Sequence, residues 1–228
     1  MAWHAKATGW GYTRESTEAN DNCLMIYGQL SAAGWTLSAI CGLLGSIEVE
    51  GIYNPWQWEG DVPLASTDPR IETSSSNGYG LIGFTPSGKY IHNQYAMAST
   101  YYAPNFSDVA GNPNDGASQI AFIDANGYGV QEDIVYFPSS YYPDISFSDY
   151  KQSNQDPRTL ASVWMRNAER PYIDPSAPDP GFENRRREAA AYWYEVLSGV
   201  TPPDPPGPGP TPSVTTKMPL WFYLKKLF

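Results

Sequence analysis

Two glutamates, Glu48 and Glu50, close an apolar segment that contains Ile40, Leu43, Leu44 and Ile47. Those four apolar residues recur at helical spacing and form one stripe. Glu50 falls three residues after Ile47 and seven after Leu43, so it continues the stripe. Glu48 does not, and is expected to face solvent. A carboxyl at the inward end of a helix is partly desolvated, which disfavours its anion and raises its pKa. A general acid needs this to stay protonated near neutral pH and deliver a proton to a leaving oxygen. The helix alone leaves a plainer reading open, a last-turn glutamate that is solvated or capping. A second carboxylate would come from the following loop, where Glu59 and Asp61 are nearest and Asp68 and Glu72 lie further on. Asp61 is preferred, because Gly60 beside it lets the backbone approach a ligand closely. Solvated loop acids are the alternative for each.

Other chemistries find less support. His4 and His92 have no Asp or Glu at a spacing that builds a metal site. There is no Gly-rich phosphate loop and no Ser-centred nucleophile elbow. No metal and no cofactor are expected. Cys23 and Cys41, the only cysteines, are too few for a disulfide framework and are not spaced as a zinc site. They read as buried thiols on neighbouring helices, with a disulfide as the alternative. Glu169-Arg170-Pro171 reads as a helix terminus locked by charge-assisted hydrogen bonds.

The elements that must position Glu50 are mostly helical. The spacing predicts helices over residues 17–33 and from Thr36 to Glu50, with Gly51 as a C-cap and Asn54-Pro55 forbidding continuation. Residues 56–80 read as loops with a small hairpin. A further helix is expected after Thr85-Pro86, then one over 118–125, a short one over 146–152, one opened by Asp156-Pro157, and a last one over 184–197. Residues 201–212, TPPDPPGPGPTP, read as an extended spacer. The chain therefore divides into a domain over 1–200, a Pro-rich linker over 201–216 and an apolar, cationic segment over 217–228.

With 14 Lys and Arg against 24 Asp and Glu, the net charge is −10. Such a chain is ill suited to nucleic acid, which is bound by cations that neutralise phosphates. No stretch reaches the length of a membrane-spanning helix, and the N-terminus shows no signal-peptide pattern. Synthesis in a cytoplasm without export by the usual route is the expectation.

Four blocks carry a resemblance to a known family. GWTLSAICGLLGSIEVEGIYNPWQWEG (34–60) resembles the opening motif of phage-tail-type lysozymes, a helix ending in Glu before an Asn-Pro turn. GYGLIGFTPSGKYI (78–91) is similar to the second motif, DGASQIAFIDANG (115–127) to a following helix, and residues 146–171 with RRREAAAYWYEVL to the closing block. The resemblance implies an α+β, mostly α, lysozyme-like fold with a small β-hairpin. Its cleft would lie between the first helices with their hairpin and the C-terminal helices. It implies cleavage of the β-1,4 glycan of bacterial peptidoglycan, with Glu50 as the acid. Water or the sugar's own hydroxyl then completes the reaction. Tyr79, between Gly78 and Gly80, and Trp56 and Trp58 at the inferred cleft mouth either stack on sugars or pack the core.

The chain departs from the family pattern at two positions. Gly51 stands where Ser is common, and Gly83-Phe84 where Gln-Trp is usual. That Gln would orient sugar or water, so low activity, raised by Gly83→Gln, is expected. An active wall-cutting enzyme of the virion tail and a silent structural tail protein are the two functions in view. Residues 217–228 are expected to dock into other tail proteins.

Overall fold

The fold, seen in a computed structural model, is described for residues 2–6, 11–61, 70–73, 78–91, 115–126, 135–170 and 180–204. In chain order the helices are α1 (Thr17–Ala32), α2 (Leu37–Glu50), α3 (Arg70–Thr73), α4 (Gly88–Ile91), α5 (Asp115–Asp124), α6 (Phe147–Gln152), α7 (Pro157–Trp164) and α8 (Pro180–Leu197). A 3-10 turn, Glu59–Asp61, follows α2, and a π turn, Met165–Glu169, continues α7. Four helix starts are capped by residues that favour that position. Ser16, Thr36, Ser146 and Asp156 accept from the backbone N–H groups of Ala19, Ala39, Asp149 and Arg158. None of the described helices is long and apolar enough to cross a membrane.

Helix α2 is the centre of the packing. Residues 38–47 are all buried, so the helix is enclosed and not merely faced on one stripe. Helices α7 and α8 pack on it most extensively. Two glycines allow the approach. A Cβ on Gly42 would lie 2.8 Å from Leu160 Cβ, and one on Gly45 would lie 2.3 Å from the Arg186 carbonyl oxygen. Such contacts lie far inside van der Waals range, so only glycine keeps these crossings. Around them Trp35, Tyr136, Tyr150 and Trp164 form one aromatic cluster, and the Tyr150 hydroxyl donates to the Ala39 carbonyl at 3.1 Å. Cys23 and Cys41 are free, buried thiols on α1 and α2.

Several expectations need correction. The β component is reduced, among the described residues, to isolated antiparallel bridges joining Trp58 with Tyr79 and Tyr79 with Phe84. Gly80 and Gly83, at φ +84° and +59°, reverse the chain at once, so the ladder cannot lengthen. Helix α5 begins at Asp115 and not at Ser118, because the buried Asp115 carboxylate anchors its first turn to the Tyr79 and Tyr90 hydroxyls. Helix α8 begins at Pro180, a residue suited to a first turn, and not at Asn184. Glu48 does not face open solvent. The N-terminal segment crosses that face through Tyr12 N–H bonded to the Ile52 carbonyl at 2.8 Å. Arg14 then pairs with Glu48 through Nε at 2.8 Å, and the Tyr53 hydroxyl donates to the same carboxylate. His92, Asp68 and residues 205–228, including the apolar segment, lie outside the described residues.

Candidate active site

Glu50 is the last residue of α2, and its side chain is 29% exposed. The guanidinium of Arg186, from the second turn of α8, donates through Nη2 to Glu50 Oε1. Arg186 is itself completely buried. It also reaches Glu169 Oε2 through Nη2 at 2.6 Å and Nε at 3.0 Å, and the Phe182 carbonyl through Nη1 at 3.1 Å. The Phe182 ring covers the guanidinium at 3.9 Å.

The π turn explains how Glu169 arrives there. Arg170 N–H bonds back to the Met165 carbonyl at 2.8 Å, and Arg170 takes a left-handed conformation at φ 51°. The widened turn ends the helix and carries Glu169 toward α8. Its partner is thus Arg186, a distant arginine, and not the adjacent Arg170 that the sequence suggested. Glu169 is 8% exposed at its side chain, and its second oxygen has no hydrogen-bond partner.

Burial, and next the Glu169 charge, push the Glu50 carboxyl up from 4.5 to about 7. The Glu59 charge adds to the rise, while Arg186 pulls the other way. A group held near 7 can give a proton and take it back at neutral pH.

Glu50 lies where two cavities meet. One, of about 290 Å³, is lined by Glu50, Phe84, Lys89, Phe122, Glu169 and Phe182 among others. The other, of about 380 Å³, is lined by Glu50, Gln57, Trp58, Glu59, Gly60 and Gly80 among others. Gly83 and Thr85 border both, so the two cavities adjoin at the acid and together form the groove beside it. A groove of this form suits an extended chain with its reactive bond at the centre.

A family model described as phage tail lysozyme matches residues 21–197. The chain belongs to that family. It is also similar to Morphogenesis protein 1 of Bacillus phage B103, with 27% identity over 187 residues, covering 80% of this chain. The chain spans 40% of the length of that curated relative. Membership makes this a phage-associated, lysozyme-like protein, and the largely helical fold agrees.

The remaining sequence candidates divide. Gly83 borders the groove, and a Cβ on it would lie 3.3 Å from Glu50 Oε2. Trp58 lines the second cavity while its ring packs on Tyr79 at 4.7 Å. Tyr79 and Trp56, 1% and 3% exposed, line neither of these cavities. Tyr79 donates its hydroxyl to Asp115 at 2.7 Å and stacks near Tyr90, which is core packing. Asp61 ends the 3-10 turn, and its side chain lies outside the described residues. Glu59, on the same turn, lines the groove and accepts from Gly78 N–H at 2.9 Å. Among the described residues, no three His, Cys, Asp or Glu side chains converge as a metal site.

Arg186 and Glu169 are the site residues that sequence reasoning missed. A signal for Arg186 was present. Arg186, Ala190, Trp193 and Leu197 recur at helical spacing and are all buried, so Arg186 continues the α8 stripe as Glu50 continues that of α2.

Proposed function

We propose that this chain is a peptidoglycan glycosidase of the phage tail that cleaves β-1,4 glycosidic bonds of the host wall during genome delivery. The observation that supports this reading is a carboxyl at the end of α2 that lines both of two adjoining cavities, with burial raising its affinity for a proton. The glycan lies along the groove. The Glu50 proton passes to the glycosidic oxygen as the C1–O bond breaks and its electron pair moves to that oxygen. Positive charge develops at C1, and the Glu59 carboxylate faces it from the second cavity. Water, or a hydroxyl of the same sugar, then adds to C1 and returns its proton to Glu50. Asp61, the carboxyl preferred from the sequence, and its turn neighbour Glu59, which lines the second cavity, are the two candidates for the second-carboxylate role. Trp58 and Gly83 form the groove wall, and Tyr79 supports Trp58 from behind. The protein acts from the virion, with residues 217–228 docking it to other tail proteins.

The experiment is zymography on purified peptidoglycan with wild type and Glu50→Gln. Gln is nearly isosteric but has no proton to give, so clearing should fall by on the order of 10²- to 10⁴-fold. A wild-type protein that clears no peptidoglycan supports the silent structural reading instead.

A further inference from the structure

Arg186 presents a problem for the acid it touches. A buried guanidinium against a carboxyl favours the anion, and the anion cannot act as an acid. Its charge must therefore be used elsewhere. Glu169 takes two of its N–H contacts on one oxygen, and Glu50 takes a single one. Both Arg186 and Glu169 are withdrawn from solvent, at 0% and 8% side-chain exposure, while Glu50 keeps 29%. With both carboxylates ionised, the buried trio carries one uncompensated negative charge. One proton neutralises it. The carboxyl with fewer guanidinium contacts, and with access to the groove, is the one to hold that proton.

We propose that Glu169 is a positioning residue for the acid: it occupies the charge of Arg186 and so leaves the proton on Glu50. This rests on Glu50 being the general acid. The other charged groups facing Glu50 do not replace it. Glu59, on the 3-10 turn, adds negative charge from the second cavity but accepts from Gly78 and is exposed. Lys89 of α4 and Arg170 after the π turn line the first cavity as exposed cations, where solvent screens their charge. Of these groups, Glu169 is the one that hydrogen-bonds the buried guanidinium beside Glu50. The raised affinity of Glu50 for its proton agrees, with Glu169 the largest electrostatic contributor after burial.

The test uses the full chain and two substitutions of opposite sign. Glu169→Gln leaves Arg186 with only Glu50 to pair. The alkaline limb of the kcat/KM profile on peptidoglycan, normalised to its acid plateau, should move down by about one to two pH units. At pH 7 the normalised rate should fall about 5- to 50-fold below that of wild type. Arg186→Gln removes the cation and leaves Glu169, so the limb should move up. A fold defect lowers amplitude and does not move the limb in opposite directions. Glu169→Asp, which keeps the charge, should return the limb toward wild type. The carboxyl carbon of Glu50, assigned by its loss in Glu50→Gln, is titrated by NMR in each folded variant and should shift in the same directions without substrate. Unmoved titration in Glu169→Gln, or movement of both variants in one direction, overturns the proposal. Full activity of Glu50→Gln would instead overturn the assignment of the acid.

Discussion

A carboxyl kept protonated by burial weakens the fold once the pH forces it to ionise, and Glu50→Gln should reveal that cost. Glu50 binds its proton more tightly in the folded chain than in the unfolded one. Its contribution to stability is therefore full below pH 4.5 and is lost as pH rises through about 7. That interval, at about 1.4 kcal/mol per pH unit, gives a ceiling of about 3 kcal/mol. Gln does not titrate, yet its carbonyl oxygen can still accept from Arg186, which stays paired with Glu169. The Gln variant should then be more stable than wild type at pH 8 by about 1–3 kcal/mol more than it is at pH 4.5. Urea unfolding of both proteins at the two pH values measures this difference. Groups other than Glu50 titrate in both proteins and largely cancel. An offset equal at pH 4.5 and pH 8 would refute the reasoning, because Glu50 would then ionise as easily folded as unfolded.

Two further substitutions test the surroundings. Glu48→Gln should lower stability by about 1–3 kcal/mol in urea unfolding, since it breaks the partly buried network with Arg14 and the Tyr53 hydroxyl; specific activity per folded molecule should persist, because Glu48 lines neither cavity. Gly83→Gln should cost about 1 kcal/mol from its φ of +59° and lower kcat about 10-fold by crowding Glu50, a reversal of the gain expected from sequence; a higher kcat would show that the groove welcomes the added amide.

What was legible in the sequence was local. Thr36 and Asp156 marked the starts of α2 and α7 because capping is decided within a few residues. Glu50 was legible because one helical stripe set its direction. The guanidinium against it comes from 136 residues away, and no local rule pairs two such positions. Periodicity does mark Arg186 as inward, but a buried arginine needs a partner, and only the crossing of α2 with α8 at Gly45 names it. Glu169 was harder still. Its direction depends on a π turn, whose widened ladder departs from the 3.6-residue phase by which faces are read. Glu48 was misread for the opposite reason: its own helix sends it outward, and a segment from elsewhere in the chain covers it.

The two departures from the family pattern meet in one place. A Cβ on Gly51 would lie 2.4 Å from the Leu81 carbonyl oxygen and 2.7 Å from Leu81 Cα. The turn over residues 78–84 therefore rests on the end of α2 more closely than a serine at 51 would allow. Gly83 lies on that same turn, and its missing side chain faces the Glu50 carboxylate. Gly51 brings the turn in, and Gly83 keeps it from pressing on the acid once it is in. Taken separately, each glycine looks like a lost functional group. Taken together, they describe one arrangement in which backbone approaches the acid at both positions. The two glycines are thus one packing arrangement at the end of α2, and a side chain placed at either should displace the turn that both hold against Glu50.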